Sequence, residues 1–291
     1  MKLCDTIWQI EMRMIKEREI IEKVYLAIEK ASFSLEPHIR KLIYDARRME
    51  KSIYGKEVLN AIVENIKIAE EKKIPLCQDT GMVVLFFEIG SGTKIEFERF
   101  KSLQELVDFA VKSAYTDFYL RKSVVSVPDR KNTMDNTPSI LWCESIPGDS
   151  IRFSVLIKGF GSENTSRLKM FLPSTEPDEI VEFVADCVKK AGANPCPPVF
   201  IGIGMGGTAE KAMYLSKKAL VDIGRKKRFD MAYLEKKIIS RLNQLGIGPG
   251  GLGGTFTCLD ARIRTFPTHI AGFPVAVSIS CWAHRMHQGI I

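Results

Sequence analysis

From about residue 11 to residue 73, apolar residues recur at spacings of three and four. Ile15, Ile20, Ile21, Val24, Tyr25 and Ile28 mark one face and charges fill the other, which predicts amphipathic helices. Ser34 and Pro37 punctuate the first helix, and Gly55 interrupts the second long stretch. Residues 82–89 (MVVLFFEI) break the pattern: a continuous apolar run rich in strand formers predicts a buried strand. Helical spacing returns over 100–120. A polar loop at 130–138 precedes a predicted strand at 139–144, and Pro147-Gly148-Asp149 signals a hairpin into a strand at 150–158. After residues 159–164 (GFGSEN) comes a loop, then a helix over 176–191 with Pro177 in its first turn. A short strand at 199–203, helices at 209–222 and 231–245, and a last strand at 271–280 follow. Six glycines within 246–254 (GIGPGGLGG) predict a loop whose backbone approaches something closely, because ordered-looking sequence continues on both sides. The pattern describes a mixed α/β (α+β) chain, helical to about residue 75 and then built of mixed sheets flanked by helices. No repeat or linker divides it, so 1–291 reads as one domain.

Composition narrows the class. With 291 residues, 45% of them hydrophobic, the chain can bury a sizeable core, and 26% charged residues argue against wholesale disorder. The net charge of +7 is spread over helices and mixed with acidic residues, and the one basic block, Arg225-Lys226-Lys227-Arg228, reads as a solvated turn. No nucleic-acid partner is expected. No apolar run reaches the roughly 18–20 residues of a membrane span, and residues 1–15 lack the unbroken apolar core of a secretion signal. The expected location is cytoplasmic, where seven cysteines do not form a disulfide framework.

Three of those cysteines stand in marked places. Cys77 lies in Pro75-Leu76-Cys77-Gln78-Asp79-Thr80-Gly81, Cys196 in Asn194-Pro195-Cys196-Pro197-Pro198, and Cys281 in Ser280-Cys281-Trp282. No short C-x-x-C spacing is present, which argues against a zinc ribbon or a ferredoxin. Cysteines on distant loops can still converge, and three thiolates around a 4Fe–4S cluster leave one iron open to act as a Lewis acid. Plain burial is the bland alternative. Residues 202–207 (GIGMGG) fit G-x-G-x-x-G between a predicted strand and helix. Asp222, however, ends that helix rather than a second strand, so close strand-to-helix packing, or an anion at the helix N-terminus, competes with a dinucleotide site.

Together the motifs PLCQDTG, RKNTMDNTP, KGFGSEN, NPCPPVFIGIGMGG, LGIGPGGLGGTFT and PTHIAG, followed by SCW, resemble those of class I fumarases and L-tartrate dehydratases. The resemblance spans nearly the whole chain, in order, and is to the alpha subunit, the equivalent of the N-terminal domain of the single-chain enzymes. It implies that Cys77, Cys196 and Cys281 hold a 4Fe–4S cluster with one iron not ligated by protein. It also implies a hydro-lyase acting on a small dicarboxylate, completed by a beta subunit in a higher homo- or hetero-oligomer. Losing a hydroxyl beside a poorly acidic C–H requires an electrophile on the oxygen and a base at the carbon.

By the same resemblance Asp79 positions or accepts a proton, His269 contacts substrate, and Arg121 lies near a substrate carboxylate. Turn capping is the alternative for Asp79, a structural role for His269, and a helix C-terminal cation for Arg121. Gln78, Thr268, Asn132 and Thr133 are substrate-binding candidates; Asn136, Thr137, Ser162, Glu163 and Asn164 line the pocket or brace its loops. Cys4, Cys143, Cys187 and Cys258 read as thiols without a ligand role, and His38, His284 and His287 as surface or structural. Phe160 stands where relatives often have a small residue, which bears on pocket shape. The competing classes are a nucleotide-dependent oxidoreductase and a non-catalytic assembly subunit.

Overall fold

The computed structural model describes residues 12–225 and 229–291. Cys4, the helix start expected at residue 11, and Lys226-Lys227-Arg228 of the basic block lie outside the described residues. The described elements begin with strand β1 (Arg13–Lys16) and helices α1 (Glu17–Phe33), α2 (Pro37–Met49) and α3 (Ile53–Lys72). Strands β2 (Met82–Gly90) and β3 (Thr93–Glu96) precede helix α4 (Leu103–Asp117) and strands β4 (Ile140–Ile146) and β5 (Ile151–Lys158). Short helix α5 (Phe160–Glu163), strand β6 (Arg167–Phe171) and helix α6 (Pro177–Ala191) follow. Strand β7 (Val199–Gly206), helices α7 (Ala209–Ala219) and α8 (Ala232–Asn243), and strands β8 (Cys258–Phe266), β9 (Phe273–Ser280) and β10 (Arg285–Ile290) complete the order. The fold is mixed α+β, as the pattern predicts. Among the described residues no helix is long and apolar enough to cross a membrane.

The chain divides into two compact units. The first comprises Met1–Glu29, Val83–Val155 and His287–Ile291. Its four-stranded sheet runs β10-β5-β2-β4, and β1 pairs in parallel with β3. Arg13–Lys16 is thus a strand, not the helix its spacing suggests, because each of its residues pairs with one of Thr93–Glu96. Strand β2 is where the apolar run places it, with residues 83–87 all buried. The hairpin expected at Pro147-Gly148-Asp149 does not form: β2 lies between β4 and β5, and β4 runs parallel to β2. The Gly148 carbonyl instead accepts the Gly92 N–H at 2.8 Å.

The second unit comprises Lys30–Met82 and Leu156–Met286. Its sheet runs β6-β9-β7-β8, with β7 parallel to β8 and antiparallel to β9. Every residue of β7 is buried, and its two-residue alternation sorts two kinds of packing. Ile201 and Ile203 join a core with Ile180, Val184 and Val188 of α6 and Ile238 and Leu242 of α8. Gly202 and Gly204 face α7 so closely that a β-carbon would stand 2.0 Å from the carbonyl oxygens of Ser216 and Ala212 respectively. The GIGMGG glycines therefore bring helix and strand together, as the packing reading expects. Asp222 is held by Arg264 at 2.6 and 2.8 Å.

Helix α3 positions the first cysteine loop. Its break from α2 falls at residues 50–52, not at Gly55: the Ser52 hydroxyl caps it by accepting the Gly55 N–H at 3.3 Å, in the first turn. It ends at Lys73 in a left-handed conformation (φ 52°), with Pro75 just beyond. Strands β6, β8 and β10 are absent from the pattern-based reading, which has loop or no assignment there.

Packing at β7 sets a test. Gly204→Ala should lose about 3 kcal/mol in urea unfolding, whereas Gly272→Ala, with nothing within 4 Å of its β-carbon position, should stay within about 0.5 kcal/mol. Equal losses would contradict the strand-helix contact.

Candidate functional site

The loop after α3 is clamped before it reaches Cys77. The Leu76 N–H donates to the Ser32 carbonyl at 2.9 Å, and Asn65 Nδ2 donates to the Leu76 carbonyl at 3.0 Å. Leu76 itself is buried. Beyond Cys77, Asp79 Oδ1 accepts the Gly81 N–H at 3.0 Å, and Oδ2 accepts the Phe160 N–H at 2.8 Å. Gly81 has φ +70°, and a β-carbon there would stand 2.7 Å from the Lys158 carbonyl oxygen. Only glycine allows this crossing of the Cys77 loop over the start of GFGSEN.

The crossed segment carries a buried charge cluster. Lys158 is 2% exposed, with Nζ 2.6 Å from Ser162 Oγ and 3.5 Å from Glu163 Oε2. Lys217 pairs with the other Glu163 oxygen. Burial opposes ionisation of Glu163, yet the Lys217 and Lys158 ammonium groups outweigh it and hold its pKa below the ordinary value. Burial pushes the Lys158 ammonium down to about 8, against the pull of Glu163 and Cys281.

Cys196 sits at φ +52°, its N–H bonded to the Ala193 carbonyl at 2.9 Å. The glycine-rich loop closes on this segment: the Gly250 N–H donates to Pro197 O at 2.8 Å, and a β-carbon at Gly251 would stand 2.5 Å from Ala193 Cβ. That is the close approach its composition predicts. The loop's far end is held by Glu50, whose carboxylate accepts N–H groups from Thr255 and Phe256 as well as from Lys51 and Ser52. A β-carbon at Gly161 would stand 3.1 Å from Asn194 O, which draws GFGSEN to the same place.

Cys281 directly follows β9, and its thiol faces the Ala283 carbonyl at 3.6 Å. The next residue, Trp282, donates its N–H to the Cys196 carbonyl at 3.5 Å. His284 braces the turn from inside: fully buried, its Nε2 donates to Leu220 O at 2.9 Å, so Nδ1 accepts from Ser280 Oγ at 2.8 Å. Burial pushes the Cys281 thiol up, Arg285 and Lys158 pull it down, and Cys77 pushes it up again. Cys196 is raised by burial and then by Cys77. Cys77 thus acts on both other thiols, which puts the three in one electrostatic neighbourhood. All three are free thiols.

Within the second unit, two predicted residues lie at the other end of β9. Thr268 and His269 lie on the turn before β9, so this eight-residue strand, about 23 Å long at about 3.3 Å per residue, separates them from Cys281. His269 is exposed, its Nδ1 accepting the Ala271 N–H at 3.2 Å; Thr268 Oγ1 donates to Gly207 O at 2.9 Å. Gln78 is exposed beside Cys77. Arg121, Asn132 and Thr133 belong to the first unit. There Arg121 Nε lies 3.3 Å from Ser123 Oγ, Asn132 Nδ2 donates to Lys122 O at 2.8 Å, and Thr133 N–H donates to Val124 O at 3.0 Å. Cys187 and Cys258 lie in the core, whereas Cys143 is exposed. Sequence reasoning passed over Lys158, Arg285 and Glu50, whose importance comes from burial of charge rather than from any local pattern.

A family model described as fumarate hydratase (fumerase) matches residues 21–289. The chain belongs to the fumarate hydratase family. This makes it a hydro-lyase by kinship. A Methanocaldococcus jannaschii protein, named provisionally as an L(+)-tartrate dehydratase alpha subunit, is 39% identical over 275 residues, 92% of this chain and 95% of that one. L(+)-tartrate dehydratase alpha subunits of Escherichia coli K12 and Shigella sonnei are each 34% identical over 242 residues, covering 81% of this chain and 78% of theirs.

A fumarate hydratase family site can be tested against these residues. Among the described residues no three His, Cys, Asp or Glu side chains are grouped as ligands of a single metal ion. Three thiols that each take a different corner of a cube have no such need. Free sulfurs in one electrostatic neighbourhood, beside buried cations that favour thiolate, fit an anionic cluster.

The buried imidazole gives this family member a pH signature. Burial lowers the His284 pKa from 6.5 to about 3. Between these values the unfolded chain binds a proton that the fold excludes, so stability is complete above about pH 6.5 and falls as pH drops. From pH 6 to 5 the wild-type unfolding free energy should fall more steeply than that of His284→Asn, by up to about 1.4 kcal/mol per pH unit. Parallel slopes in urea titrations would contradict the assignment.

Proposed function

We propose that this chain is the cluster-bearing alpha subunit of an iron–sulfur hydro-lyase that adds water to, or removes it from, a four-carbon dicarboxylate, together with a beta subunit. The observation that carries the reading is the shared neighbourhood of Cys77, Cys196 and Cys281, brought from three separate loops. These thiolates would hold a 4Fe–4S cluster, which supplies a Lewis acid for the hydroxyl at the iron without a protein ligand. Asp79 spends one acceptor site of each oxygen on Gly81 and Phe160, which fixes its carboxylate and leaves lone pairs free. Its proposed role is to position or accept the proton at the neighbouring carbon. Gln78, exposed next to Cys77, and Arg121, Asn132 and Thr133 are proposed substrate groups from the motif resemblance; Arg121 has the planar fork that suits a carboxylate. A substrate contact by Thr268 and His269 is proposed for the site of a neighbouring copy, given their distance from Cys281.

Fumarate–malate interconversion is supported by the family description. L(+)-tartrate dehydration is the second reading, favoured by the names of the relatives. Anaerobic co-expression with the beta subunit, followed by assays of fumarate hydration and tartrate dehydration, separates them. Turnover of neither substrate by the cluster-loaded complex would end the proposal.

Two substitution series extend the test. Cys77→Ser, Cys196→Ser and Cys281→Ser should each lose most bound iron and sulfide, whereas Cys187→Ser and Cys143→Ser should keep it; equal retention at all five would refute the ligand set. Asp79→Asn should retain iron but lose about 100-fold or more in kcat, and an unchanged rate would remove Asp79 from the chemistry.

A further inference from the structure

We infer that Arg285 and Lys158 are fixed counter-cations of the thiolate-bound cluster, positioning residues that retain it and set its reduction potential. The inference rests on the cluster reading above. Arg285 is 3% exposed, yet among the described residues its buried Nε has no hydrogen-bond partner. Its Nη2 lies 3.2 Å from the point a β-carbon would occupy at Gly159, and Asp79 Oδ2 lies 3.1 Å from the same point. The guanidinium therefore borders the crossing of the Cys77 and GFGSEN loops, four residues after Cys281. A buried guanidinium with an unpaired donor is costly unless an anion meets it.

Lys158 adds to the same charge. It is 2% exposed and shares Glu163 with Lys217, while Arg285 borders Asp79, so three cations here stand beside two carboxylates. The polypeptide leaves positive charge in excess. A dicationic cube held by three thiolates is an anion, which meets that excess. Both Arg285 and Lys158 act on the Cys281 thiol in the direction of thiolate. Charge and hydrogen bonding around a cluster govern its potential, and such surrounding groups support metal affinity. A cation favours the more negative, reduced state, so its removal should lower the potential. A substrate carboxylate is the other anion that could meet Arg285, and the experiment below separates the two.

The holoprotein is reconstituted anaerobically as wild type, Arg285→Gln, Arg285→Lys and Lys158→Met, each checked for folding by circular dichroism. Iron and sulfide content, the rate of iron loss to a chelator, and the midpoint potential are measured. Arg285→Gln should lose iron at least about tenfold faster and have a lower midpoint, Arg285→Lys should recover part of both, and Lys158→Met should shift the midpoint the same way. An Arg285→Gln protein with unchanged loss rate and midpoint, but a raised KM for the dicarboxylate in the complex with the beta subunit, would overturn the inference and assign Arg285 to substrate. Should Arg285→Gln not fold, an unchanged midpoint in Lys158→Met would overturn it instead. A wild-type protein that takes up no cluster would defeat the underlying reading, an outcome distinct from both.

Discussion

The Asp79 carboxylate accepts one N–H from Gly81 within its own loop and one from Phe160, 81 residues further along the chain. These two bonds join the loop carrying Cys77 to the segment carrying Lys158, and Gly81 lets the backbones pass without a side chain between them. The remaining loops are arranged around this crossing. Gly161 approaches Asn194 in the Cys196 loop, and Trp282, next to Cys281, reaches the Cys196 carbonyl. Each contact is a backbone approach or a single hydrogen bond, individually modest. Their effect is geometric: cysteines 119 and 85 residues apart in sequence become electrostatic neighbours.

Behind the loops lies a rigid support. The all-buried β7, with isoleucines toward α6 and α8 and glycines toward α7, fixes where residues 196 and 281 emerge, because β7 begins beside the end of β9. His284, neutral and bonded at both nitrogens, holds the exit of β9. Glu50 anchors the glycine-rich loop that in turn bears on Pro197. The polar groups beneath the thiols are thus mostly satisfied. The exceptions near the thiols, among the described residues, are the buried Arg285 Nε and Glu163 Oε2, the latter meeting Lys158 only at 3.5 Å.

Strand β2 was legible in the sequence because burial on both faces leaves an unbroken apolar run, and α6 because Pro177 marks its first turn. Strand β6 was not: it is a five-residue edge strand whose alternating Leu168 and Met170 are exposed and only Phe171 is buried, too short a pattern to separate from a loop. In β8 the charged residues Asp260 and Arg262 disguise a buried strand, since they pair with each other and with Glu235 out of solvent. The false hairpin at Pro147-Gly148-Asp149 followed from reading a turn locally when the neighbouring strand, β2, comes from earlier in the chain. At the site, Cys77, Cys196 and Cys281 could be picked out from their motifs. Arg285 and Lys158 could not, because an unmatched buried charge is a property of distant neighbours. The remoteness of His269 likewise depends on strand direction, which spacing in sequence does not reveal.

Mössbauer spectroscopy of protein reconstituted anaerobically with 57Fe tests the central claim most directly. Three sulfurs on four irons should give one iron distinguishable from the other three, and its signal alone should move when a hydroxy-dicarboxylate is added. Four equivalent irons indifferent to the ligand, or no bound iron, would contradict a cluster held open at one corner by these loops.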